Sequence, residues 1–110
     1  MKQREIWLAD LNPSRGSEQK GIRPVIVISG NAMNDHLGIG IVCPLSTCIK
    51  HYAGCIIVAG GSYSGLEKES EILTFQIRTV AASRFIRKLG EITLDQLAQL
   101  RQGLAEILTY

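Results

Sequence analysis

Three groups of residues in this chain have the types and spacing to act on a phosphate ester. Arg23 stands just before Pro24, where the polar, glycine-bounded run Gly16-Ser17-Glu18-Gln19-Lys20-Gly21 enters the β-branched run Val25-Ile26-Val27-Ile28. An arginine is always charged and offers a planar fork of donors that suits phosphate. The proline beside it restricts the local backbone. Ser46-Thr47, a hydroxyl pair, follows Pro44-Leu45. Gln76 and Arg78 alternate with Ile77, and a strand period of two places them on one face. Each group also has a purely structural reading. Ser46-Thr47 suits a turn that bonds its own backbone, and Arg23 suits a surface charge paired with Glu18.

Other chemistries lack their residues. There is no Gly-x-x-x-x-Gly-Lys loop, no His-Glu-x-x-His, no paired Cys-x-x-Cys and no Gly-x-Ser-x-Gly. His36 and His51 are too few and too isolated from each other to point to a metal site. Cys43, Cys48 and Cys55 form an odd set without close pairing, which reads as reduced thiols of a cytosolic protein. An enzyme built from these residues is expected to work without metal or cofactor.

The positioning elements follow from the pattern. A chain of 110 residues, 45% hydrophobic and 20% charged, predicts one globular domain spanning residues 1–110. The net charge of +2 permits an anionic partner without requiring one. No apolar run is long enough for a membrane span, and no signal-peptide core follows Met1, so a cytoplasmic location is expected. Strands are predicted over 5–11, 24–29, 38–45, 55–59 and 71–80, with a short sixth within 85–92. Residues 12–22 form a polar loop with Gly16 and Gly21 as hinges, and 31–36 a loop or single helical turn. Thr93 with Gln96 has capping-box spacing. Leu94, Leu97, Leu100, Leu104, Ile107 and Leu108 then recur at helical spacing, as a core-facing stripe or a partner surface. Gly103 interrupts that helix at about 1 kcal/mol relative to alanine. Short strands that do not alternate with helices predict a small, partly closed antiparallel sheet with a terminal helix across it.

At this level of detail the chain resembles the MazF/PemK (Kid) toxins. The resemblance rests on Glu5-Ile6-Trp7-Leu8-Ala9-Asp10-Leu11-Asn12-Pro13, on Gly16-Ser17-Glu18-Gln19 with Gly21-x-Arg23-Pro24-Val25, on Val42-Cys43-Pro44-Leu45-Ser46-Thr47 and on Gln76-Ile77-Arg78-Thr79-Val80. It implies a mainly β fold with a C-terminal helix, an SH3-like barrel of the CcdB/PemK type. It implies a homodimer that acts as the toxin of a type II toxin–antitoxin system, cutting single-stranded mRNA at a specific sequence without metal. It also implies a cognate antitoxin whose acidic, disordered tail competes for the RNA site. Residue by residue, the family's catalytic arginine falls on Arg23 and its catalytic hydroxyl on Ser46. Substrate contacts fall on Glu18, Gln19, Thr47, Gln76 and Arg78.

Such cleavage uses the RNA's own 2′-hydroxyl as nucleophile, leaving a cyclic phosphate and a free 5′-hydroxyl. The protein has only to align the reacting atoms and stabilise charge on the phosphate oxygens. The chain departs from the family in three places. Phe75 stands where many relatives carry an acid, Leu73 where Kid-like members carry an arginine, and Arg4 where the family usually has glycine. Proton transfer then rests on Arg23 and Ser46, or on a base from Glu18 or His51. Phe75 is out of phase with Gln76 and is expected to face the core. Two other functions suit the same fold: a CcdB-like poison of DNA gyrase without chemistry, and an RNA-binding barrel that has lost catalysis.

Overall fold

In the computed structural model, residues 1–12, 16 and 21–110 are described. Seven strands and two helices follow in order: β1 (Glu5–Asp10), β2 (Ile22–Val27), α1 (Asn31–Leu37), β3 (Ile39–Ser46), β4 (Ile56–Val58), β5 (Ser70–Ile72), β6 (Arg78–Ala81), β7 (Phe85–Glu91) and α2 (Leu94–Thr109). The strands form one curved half-barrel sheet in the order β4-β5-β3-β2-β1-β7, with β6 also on β3. Every pairing is antiparallel. Residues 12–20, the site of the expected polar loop, lie largely outside the described residues.

β3 organises the sheet. One edge pairs with β2 through Val42–Pro44. The other edge is shared, with Ile39–Val42 taken by β6 and Leu45–Ser46 by β5. This division corrects the expectation of one strand over 71–80. The chain must leave β3 between the two stretches, and a single tight turn at Thr74–Gln76 does so. That turn is closed by Gln76 N–H to Leu73 O at 3.0 Å and Ile77 N–H to Thr74 O at 3.2 Å. Thr74 is buried inside it and donates its hydroxyl to Gly54 O at 3.1 Å. The segment 31–36 is likewise more regular than expected, a helix that ends at Gly38 with φ 64°. Buried Asn34 anchors it to Ser29 O at 3.1 Å.

Side chains on the two faces of the sheet form separate cores. One unites Ile6, Ile26, Cys43, Leu45, Ile72 and Ile92 with Leu97 and Leu100 of α2. The other unites Ala9, Leu11, Val25, Val27, Val42 and Val80, with Met1, Trp7 and Phe85 against it. The alternation of Val25 and Val27 with Ile26 explains how a continuous β-branched run serves both. α2 begins with the predicted capping box, Thr93 and Gln96 each bonding the other's backbone. Leu97 and Leu100 face the core, whereas Leu94 and Leu108 are exposed. Gly103 is a close-approach residue: a Cβ there would lie 2.0 Å from Gly54 O. The helix therefore docks through a glycine that its propensity alone disfavours.

Candidate functional site

Strand register brings the first two sequence-predicted residues together. Val25, Ile26 and Val27 pair with Pro44, Cys43 and Val42. Arg23 and Ser46 each stand two residues beyond the last of these pairs, Val25–Pro44, at the same end of the ladder. On the other side, Ala9 pairs with Arg23, and Glu71 pairs with Ser46. Arg23 and Ser46 thus each have one observed cross-strand neighbour, Ala9 and Glu71. Arg23 is exposed at the start of β2, and Ser46 is half-buried at the end of β3.

The hydroxyl pair divides. Ser46 lines a cleft of about 260 Å³ with Cys48, Lys50, Tyr52, Leu73, Phe75 and Gln76. Thr47 lines a different cleft of about 340 Å³, with Pro24, Lys68, Ser70 and Arg87 among its walls. Thr47 lies just past the end of β3, in a bend, and so is not bound to the strand's alternation. Ser46 Oγ also accepts the Cys48 N–H at 3.1 Å, the turn that its residue type predicted. Its own O–H is the donor left for a ligand.

Gln76 reaches the Ser46 cleft from the tight turn, not from a strand, so the shared-face argument with Arg78 does not hold. Arg78 opens β6 opposite Val42, and its Nη1 donates to Leu11 O at 3.2 Å. It thereby ties the start of β6 to the residue just after β1. Leu11 is tied to Gly21 as well: Leu11 N–H bonds Gly21 O at 3.0 Å, and Gly21 N–H bonds Asn12 Oδ1 at 3.1 Å. Glu18 and Gln19 lie outside the described residues.

Two residues that the sequence reading left without a role shape the cleft. Glu71 is fully buried. Its Oε1 accepts the Lys50 N–H at 2.9 Å and its Oε2 the Tyr52 N–H at 2.8 Å. A buried carboxylate requires such partners, and here they fix the backbone of the segment after Ser46. A charged residue just before Ile72-Leu73, inside a buried strand, was the available signal. Tyr52 stacks edge to face on Phe75 with ring centroids 4.9 Å apart. Phe75 is 47% exposed, which corrects the expectation that it faces the core. The tight turn at 74–76 reverses the phase that a strand would have had.

His51 is exposed, sits between the two pinned amides with φ 55°, and does not line the Ser46 cleft. Cys43 is buried, and burial, with a smaller contribution from Cys55, pushes its thiol up to about 12. A thiol so protonated is no nucleophile. Among the described residues no group of three or more His, Cys, Asp or Glu side chains is arranged to hold a metal ion. Nor is any described helix long and apolar enough to cross a membrane.

Arg4, the residue in place of the family's glycine, has φ 78°, where side chains are strained. Its Nη1 donates to Ile92 O at 3.0 Å, an interaction that glycine lacks.

Known proteins carry the same design. The family model for PemK-like, MazF-like toxins of type II toxin–antitoxin systems matches residues 2–108. The endoribonuclease MazF9 of Mycobacterium tuberculosis is 34% identical over 109 residues, covering 94% of this chain and 92% of its own. The endoribonuclease MazF of Staphylococcus saprophyticus is 32% identical over 105 residues, covering 94% and 88%. The crystal structure of MazF from Deinococcus radiodurans matches with a TM-score of 0.85 at 25% identity, over 100% of this chain and 97% of that one. A mycobacterial endoribonuclease in complex with its cognate antitoxin shares the fold at a TM-score of 0.79 and 21% identity, over 98% and 94%. With its strand register, its Arg-Pro junction and nearly its whole length accounted for, this chain belongs to the PemK-like, MazF-like toxins of type II toxin–antitoxin systems.

Proposed function

We propose that this protein is the toxin of a type II toxin–antitoxin pair and an endoribonuclease that cuts single-stranded mRNA at a specific sequence. The observation that carries the reading is that Arg23 and Ser46 each stand two residues beyond the same end of the β2–β3 ladder, with Ser46 lining a cleft. Two related proteins of about one-third identity are endoribonucleases, and these two residues suit that chemistry.

The 2′-hydroxyl of the RNA attacks its own phosphorus, and the O5′ bond breaks. The ends are a 2′,3′-cyclic phosphate and a 5′-hydroxyl. Arg23 offers two parallel N–H donors to the phosphate oxygens as negative charge grows on them. Ser46 donates to a further oxygen and helps hold the phosphate in line. The nucleophile is already on the substrate, so the scheme calls for no metal. DNA, which lacks that hydroxyl, binds without reacting. Single strands fit because their bases are free to be splayed and read. Gln76, from the cleft wall, and Glu18 and Gln19, from the loop ahead of Arg23, read the bases. Thr47 and Arg78 contribute at the margins, Thr47 from the neighbouring cleft and Arg78 through its bond to Leu11 O.

The toxin works in the cytoplasm as a homodimer. A cognate antitoxin with an acidic, disordered tail lies over Arg23 and excludes RNA, since the same fork that takes phosphate takes carboxylates.

The test incubates the purified protein with a long single-stranded RNA in excess EDTA and maps the new 5′ ends. Cuts at fixed sites with 5′-hydroxyl termini support the reading. Intact RNA, or activity that returns only with added metal, refutes it.

A further inference from the structure

Ser46 is held by more than its strand. Its Oγ accepts the Cys48 N–H at 3.1 Å, so the turn that follows bears on where the hydroxyl points. That turn is itself held at its far end. The Lys50 and Tyr52 N–H groups, at 2.9 and 2.8 Å, converge on the two oxygens of Glu71, which is fully buried. Two amides so spaced meet one carboxylate only where the residue between them turns the chain sharply. His51 does so with φ 55°, in the left-handed region that a side chain disfavours. Backbone N–H groups gathered in this way form a concavity for an anion, and here the anion is the protein's own. Bonds of backbone N–H to a carboxylate are among the stronger ones, and they offset the strain at His51.

Glu71 is also the ladder partner of Ser46. The connections therefore close a ring. It runs from Ser46 across the ladder to Glu71, from that carboxylate to the backbone of 50–52, and back through the Cys48 N–H to the Ser46 hydroxyl. Resting on the RNA-cleaving reading above, we infer that Glu71 is a positioning residue for the cleavage step. Fully buried, it does not meet the substrate, and both its oxygens are engaged in holding backbone. By gathering the two amides it fixes the turn after Ser46, and so aims the Ser46 O–H at the phosphate oxygen. Aim of this kind contributes to rate because a donor slightly out of place loses much of its effect in the transition state.

The test measures single-turnover cleavage by the full-length protein at saturating single-stranded RNA, so that binding drops out. Glu71→Gln sets an NH2 group against one of the two N–H donors. Glu71→Val removes both acceptors but suits a buried strand, and it leaves the freed amides, on exposed residues, to water. Each slows cleavage about 10-fold, less than the roughly 100-fold of a 1 Å misplacement. In a Ser46→Ala background neither slows it further, because the hydroxyl that Glu71 aims is gone. A general folding defect would slow both backgrounds alike. Equal losses in the two backgrounds, or Glu71→Val that cleaves like wild type, overturn the inference.

A second readout needs no cleavage. Glu71→Val speeds amide hydrogen exchange at Cys48, Lys50 and Tyr52 roughly 5-fold or more. Cys48 is the telling position, since it donates to Ser46 and not to Glu71. Cys48 exchange that stays as in wild type breaks the ring and overturns the inference. The cleavage reading falls separately, if wild-type protein leaves RNA intact while Cys48 exchange still follows Glu71.

Discussion

The two walls of the cleft are built on different physical grounds. The Ser46 wall ends a strand set by register: Val25–Val27 of β2 pair residue by residue with Val42–Pro44 of β3, and each residue's place follows from its neighbour's. The Lys50–Tyr52–Phe75 wall belongs to irregular chain, held by two buried polar side chains, Glu71 and Thr74. Register is robust to single substitutions, because many ladder bonds share it. A wall hung on one carboxylate is not. The difference separates a rigid sheet from irregular segments whose sequence can vary.

The largest expected effect sharpens the first wall. Arg23→Ala removes the charged donor that faces the growing negative charge and lowers the cleavage rate roughly 100- to 1,000-fold. Its thermal unfolding stays close to wild type, because the side chain is exposed. Comparable cleavage by the purified variant would break the assignment. Ser46→Ala is expected to slow cleavage by a smaller factor, and Thr47→Ala by less again, since Thr47 lines the neighbouring cleft. Parallel single-turnover measurements rank the two. A larger loss at Thr47 would reverse the division of the hydroxyls.

A comparison across the helix gives the next effect. Gly103→Ala should lower stability by about 1–3 kcal/mol in urea unfolding, although alanine is the better helix former. The cause is the Cβ driven against Gly54 O. A gain in stability would show that the contact relaxes freely. His51→Ala should leave both cleavage and stability near wild type. A large loss of rate would identify His51 as the general base.

The smallest effect concerns pH and lies far from both walls. Burial raises the Glu5 carboxyl, but bonds from Trp7 Nε1, Lys88 Nζ and the Lys2 N–H outweigh it and hold the group below its ordinary value of 4.5. A depressed carboxyl stabilises the fold above its unfolded value, and the contribution is lost as pH falls through the folded one. Glu5→Gln should therefore lower stability near neutrality and flatten the curve below about pH 4.5, so that the two proteins converge in acid. An unchanged acid limb would show that these bonds do not bias ionisation.

Regular elements were legible from local chemistry. The Thr93–Gln96 capping box, the β-branched run after Pro24 and the strand after Gly38 were each readable without the fold, because they depend on neighbours within a few residues. The same locality explains the misreading of 71–80, a continuous β-favouring stretch. Its break at Thr74–Gln76 arises because β5 and β6 pair with different parts of β3. Ser46 and Thr47 read as one pair for a related reason, since adjacency along the chain says nothing of which cleft each side chain enters.

By itself, the amino-acid sequence determined the mainly β class, the terminal helix and the family. Those properties follow from residue type and short-range periodicity. Tertiary structure alone decided that Ser46 and Thr47 part company, that Glu71 anchors the backbone of Lys50 and Tyr52, and that Phe75 turns outward onto Tyr52. Each depends on partners roughly 19 to 25 residues away in the chain, brought close only when the sheet closes around β3.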